Sequence, residues 1–122
     1  MNKKRHIIED KFKFLVVEKN MIYNYVVKQG RIAYCFENSF GKFVYWEWPQ
    51  FNEDGFEIQM KNGEKKKIEM LEHSPSVFQK YLKEHKGIKW FFKDVQNDYW
   101  EMIASIVKSE IEQKNELFGL KF

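Results

Sequence analysis

Asn62-Gly63 constrains the fold of this 122-residue chain more than any other pair of neighbours in it. The central positions of a tight hairpin turn favour positive φ, which Asn tolerates and Gly adopts freely, so Asn-Gly between alternating runs marks an antiparallel hairpin. The flanks fit. GFEIQM (55–60) puts Phe56, Ile58 and Met60 on one side, and KKKIEML (65–71) returns with Ile68 and Met70.

The same period of two recurs upstream. KFKFLVV (11–17) aligns Phe12, Phe14 and Val16; MIYNYVV (21–27) aligns Met21, Tyr23, Tyr25 and Val27; RIAYCFE (31–37) aligns Ile32, Tyr34 and Phe36; KFVYWEW (42–48) follows the turn ENSFG. Residues 9–29 carry a rival helical stripe through Phe12, Leu15, Val16, Ile22, Tyr23, Val26 and Val27, ending at Lys28 and Gly30. β-branched residues throughout 15–27 and the Lys19-Asn20 break favour strands.

Beyond residue 73 the period lengthens. Ser74 caps a helix with Pro75 in its first turn, or Ser76 and Gln79 form a capping box; Phe78, Tyr81, Leu82 and His85 form its stripe, and Gly87 stops it. IKWFF (88–92) reads as a strand or tight connector. A last helix runs from Asp94 or Asn97 to about Glu116, with Tyr99, Trp100, Ile103, Ile106, Val107 and Ile111 on its apolar face. The fold expected is α+β: an antiparallel sheet of about five or six strands over residues 11–71, with two C-terminal helices packed on one face. One domain spans 1–122, and residues 1–8 form a basic terminus that can be disordered.

Apolar residues at 43% and aromatics at 18%, with Ala33 and Ala104 as the sole alanines, imply a bulky core. No run approaches the roughly 18–20 apolar residues of a membrane helix. MNKKRHIIED lacks the apolar stretch of a secretory signal. Cys35 is alone, which excludes an internal disulfide framework and fits a reducing, cytoplasmic compartment.

Catalytic patterns are weak. His6, His73 and His85 do not have metal-ligand spacing, the glycines form no phosphate cradle, and Ser39 lacks the flanking glycines of a nucleophile elbow. Cys35 with His73, or Glu37 with Glu47, would need tertiary proximity to act together. No cofactor, metal or catalytic residue is assigned, and an enzyme of unknown reaction ranks third among the readings.

The first reading is a non-catalytic protein-binding domain. FGKFVYWEWPQF (40–51) lies in the most acidic part of the chain. Alternation sends Val44, Trp46 and Trp48 one way and Phe43, Tyr45 and Glu47 the other. Burying the largest rings gains most, so the Trp face is expected in the core. Phe43, Tyr45, Glu47, Glu53 and Asp54 then form an outer acidic-aromatic patch for a basic protein, in the manner of an immunity or inhibitor protein. The alternative is a nucleic-acid-associated protein using Lys3, Lys4, Arg5, Lys65, Lys66 and Lys67; with Arg5 and Arg31 the sole arginines, the bidentate forks of specific readout are scarce.

Overall fold

The computed structural model describes residues 3–84 and 95–122. It is an α+β fold that begins with helices. α1 (Lys3–Lys11) and α2 (Lys13–Val17) meet at Phe12, whose φ of −99° and ψ of 6° leave it between the two. This corrects the strand expected at 11–17, and within the basic terminus residues 3–8 are helical. The physical reason is the spacing of the side chains that reach the core. Ile8, Phe12 and Leu15, at i, i+4 and i+7, are each no more than 1% exposed, whereas Val16 is 38% exposed. The helical stripe therefore buries more than strand parity would, and burial outweighs the weak β preference of Val and Phe.

A five-stranded antiparallel meander follows: β1 (Ile22–Lys28), β2 (Arg31–Asn38), β3 (Gly41–Trp48), β4 (Glu53–Met60) and β5 (Lys65–Ile68), side by side in that order. Local turn chemistry sets each register. Gln29 and Gly30, at φ of 53° and 79°, make the two-residue turn whose right-handed twist matches its strands. At the next turn the Asn38 side-chain oxygen accepts from the backbone N–H groups of Phe40 and Gly41. Gly41 is required there, because a Cβ would lie 2.3 Å from the Gln59 carbonyl oxygen. The short 3-10 turn Pro49–Phe51 leads into β4.

The Asn62-Gly63 hairpin forms, with a different turn from the one its dipeptide suggests. Gly63 takes φ of 95° but Asn62 stays out of the positive region, and the Met60 N–H bonds the Glu64 carbonyl across a three-residue loop. β5 ends at Ile68, and Met70–Glu72 is a 3-10 turn, not strand.

α3 (Pro75–Glu84) starts where Ser74 and Pro75 place it, with the Phe78 N–H bonded to the Ser74 carbonyl. The expectations for Gly87 and IKWFF lie outside the described residues. α4 (Val95–Lys114) lays Trp100, Ile103, Ile106, Val107 and Ile111 into the core and stops at Asn115, which adopts φ of 53°. The tail then folds back: Leu117 and Leu120 exchange backbone hydrogen bonds, and both are fully buried beside Phe118.

One face of the sheet meets all of this. The Trp100 indole packs edge-on against Tyr45 at 4.7 Å and Phe56 at 6.0 Å, and Phe12 contacts Phe36 and Phe43. Among the described residues, every ring contact from a helix to the sheet lands on this face. No helix among them is long and apolar enough to cross a membrane.

Candidate functional site

The registers fix what each face carries. On the helix-covered face, one row reads Tyr25, Tyr34, Tyr45, Phe56, Ile68 across five strands, and the next reads Tyr23, Phe36, Phe43, Ile58. On the other face the matching rows read Val26, Ala33, Trp46, Gly55, and Asn24, Cys35, Val44, Glu57, Lys67. Phe43 is 1% and Tyr45 2% exposed, while Trp46 and Trp48 are half-buried. The expected assignment of β3 is thus inverted. A sheet face is buried as a unit, so four strands of aromatic side chains, with Ile68 on the fifth, outweigh two indoles whose cross-strand neighbours are small or charged.

The tryptophan face has its own built cluster. Trp46 lies flat over Gly55, whose added Cβ would sit 3.0 Å from the indole. The Arg31 guanidinium lies 5.2 Å from the Trp46 ring and 4.8 Å from that of Trp48. Trp48 meets Phe51 edge-on at 4.5 Å, and Phe51 is 53% exposed. These four side chains gather where β2 begins and β3 ends.

Beside them the acids converge. Glu47, Glu53 and Asp54 line one cleft with Lys4, Pro49 and Asn52. At about 260 Å³ it suits a side chain better than a cofactor. Two acids are engaged: Lys4 Nζ sits 3.0 Å from Glu47 Oε2, and the Tyr45 hydroxyl donates to Asp54 at 2.8 Å. Burial first, and then that bond to Asp54, push the Tyr45 phenol well above its ordinary pKa. Glu53 pairs with no described cation. Of the five residues expected to form an outer patch, the structure therefore brings Glu47, Glu53 and Asp54 together and takes Phe43 and Tyr45 inside. Trp46, Trp48, Phe51 and Arg31 replace them as the neighbouring aromatics and cation. The signal for this lay in the hairpin registers, which align Phe43 with Phe36 and Ile58.

The lysines expected to act together do not meet. α1 spends its basic residues internally: Lys4 also lies over the Tyr45 ring, and Arg5 stacks 3.7 Å from Tyr25 while bonding Glu9. Lys65, Lys66 and Lys67 line the exposed edge strand β5. Lys65 pairs with Gln59, five residues along β4 from Asp54, so the two groups sit at opposite ends of the sheet, roughly 17 Å apart along the strand.

The catalytic pairs also dissolve. Cys35 and Glu37 belong to the tryptophan face, whereas Glu47 belongs to the other. His73 packs on Phe118, which sits against Phe43 on the helix-covered side. Burial raises the Cys35 pKa, opposite to what a nucleophilic thiolate needs. No cluster of metal-ligating side chains occurs among the described residues. Comparison of the chain with family models, with curated proteins and with solved structures returns no match.

Proposed function

We propose that this chain is a non-catalytic protein-binding domain that receives a basic partner at the Glu53 end of its sheet. The observation that carries this reading is the adjacency of Phe51, exposed and backed by Trp48, to a cleft with three carboxylates and one lysine. An aromatic anchor beside unneutralised charge is the arrangement from which interfaces draw affinity and encounter rate. A Lys or Arg side chain entering the cleft would meet Glu53 directly and the oxygens of Asp54 and Glu47 beyond it. An immunity- or inhibitor-type role agrees with the chain's size and charge layout, by analogy of type alone. A cytoplasmic setting rests on the lone Cys35.

Lys- and Arg-rich synthetic peptides, titrated into isotopically labelled protein, test this. Shifts are expected to centre on Phe51, Glu53 and Asp54. The double variant Phe51→Ser, Glu53→Lys should weaken binding at least tenfold while folding normally, because both side chains are exposed. Equal binding to the variant, or no binding by any basic peptide, rejects the proposal. Oligonucleotide binding that shifts Lys65 to Lys67 and fades with salt would favour the nucleic-acid alternative instead.

A further inference from the structure

Lys4 is a lysine on the helix stripe that otherwise carries apolar residues. It precedes Ile8, Phe12 and Leu15, each at most 1% exposed, at the spacing that shares one helix face, so α1 aims it at the sheet. Its ammonium enters a built pocket. Nζ lies 3.0 Å from Glu47 Oε2, 5.5 Å from the centre of the Tyr45 ring and 6.0 Å from that of Trp100. Tyr45 and Trp100 are each 2% exposed and meet edge-on at 72°, so two rings and one carboxylate flank the cation. Tyr34, the cross-strand partner of Tyr45, adds a spare polar atom: it is 0% exposed, and its hydroxyl has no hydrogen-bond partner among the described residues. Burial, and after it the charge of Glu47, raise its pKa, which sets it within that carboxylate's field.

Packing alone does not account for a lysine here, since an apolar side chain would cover the same rings without drawing an ammonium out of water. The pocket also opens on the acidic cleft: Lys4 and Glu47 line that cleft with Glu53 and Asp54. The Lys4 side chain is 29% exposed, and Ile8, one turn on, holds α1 to the core, so the ammonium can swing into water while the helix stays docked. The first turn of α1 contains no acid, and Lys3, Lys4 and Arg5 stand at the positive end of its dipole, which favours release.

We propose that the pocket of Glu47, Tyr45 and Trp100 is a lysine-binding site, and that Lys4 is its internal occupant, displaced by a lysine of the basic partner. The inference rests on the basic-partner reading and narrows it to a primary ammonium. A guanidinium suits the pocket less. It takes paired oxygens or an open ring face, as Arg5 does 3.7 Å over Tyr25, whereas here one oxygen and two crossed rings surround a point charge. A tethered ammonium competes at a roughly millimolar effective concentration, so Lys4 refuses weak basic ligands.

The test follows the Trp100 indole N–H by NMR in wild type and Lys4→Ala. Propylammonium replaces the atoms that this substitution removes. It is expected to shift the signal saturably in Lys4→Ala and not in wild type, while neutral 1-propanol shifts it in neither. Lysine peptides should bind Lys4→Ala about tenfold more tightly than wild type. Arginine peptides of equal charge gain as much from the loss of a like charge but nothing from the freed pocket, so their gain should be clearly smaller. If Lys4→Ala does not fold, Lys4→Met keeps the stem and serves for the peptides. Propylammonium that affects the folded variant and wild type alike, or lysine and arginine peptides that gain alike, overturns the proposal and leaves the basic-partner reading standing. If no basic peptide binds either protein, both fall.

Discussion

Phe43 touches Phe12, Phe36, Phe56 and Phe118 at ring separations of 6.0–6.4 Å, so helix, sheet and tail all meet on one side chain. Trp46, one of the largest side chains in β3, touches Arg31 and the flat of Gly55. Size within one strand suggested the opposite ranking, because a residue read alone carries no information about its cross-strand neighbours. Phe43→Ala is expected to cost about 3–5 kcal/mol by denaturant unfolding, the usual loss for a buried aromatic. Trp46→Ala should cost clearly less, since its indole is already in part exposed. Equal losses from the two substitutions would mean that the open face is buried after all.

At the scale of elements, turns and caps were legible because their chemistry is local. Asn62-Gly63, Ser74-Pro75 and the alternation of β1 to β4 each mark their element from within a few residues. Residues 11–17 were not, since strand and helix stripes both pass through Phe12 and only the sheet beneath decides between them. α1 is held there by a clamp at Glu9, which accepts from the Tyr23 hydroxyl at 2.6 Å and from Arg5 Nε at 3.0 Å. Burial pushes the Glu9 carboxyl up, yet the bonds from Tyr23 and Arg5 outweigh it and the pKa is lowered. A carboxylate with a lowered folded pKa adds stability above its ordinary value near 4.5 and loses it as pH falls through the folded one. Wild type should therefore exceed Glu9→Gln in stability at neutral pH, and the gap should close in acid. Melting both proteins from pH 7 down to about 3 checks this; a gap independent of pH would remove the clamp.

On the scale of the whole molecule, the tyrosines packed between the sheet and the helices titrate against the fold. Burial, first in every case, raises the pKa of Tyr23, Tyr34, Tyr45, Tyr81 and Tyr99 above the ordinary 10.0. The folded state therefore holds these protons where the unfolded chain releases them. Stability is intact below pH 10 and falls progressively above it. Alkaline titration should show tyrosinate absorbance and loss of circular dichroism rising together. Tyrosinate forming near pH 10 at Tyr34 and Tyr45 with the dichroism unchanged would contradict their burial.

The sequence by itself determined the class of fold, because turn residues and the two hydrophobic periods are local and physically unambiguous over most of the chain. It also determined that acids and aromatics crowd residues 37–57. Only the tertiary structure decided which face of β3 is inside, since burial is settled by the sum over five strands and not by any one of them. The same holds for the basic residues: Lys4 and Arg5 look like a free basic tail until α1 forms, pairs Arg5 with its own Glu9, and docks on Glu47 and the tyrosine row. Charge is written in the sequence, but whether a charge is spent or available depends on what the fold sets against it.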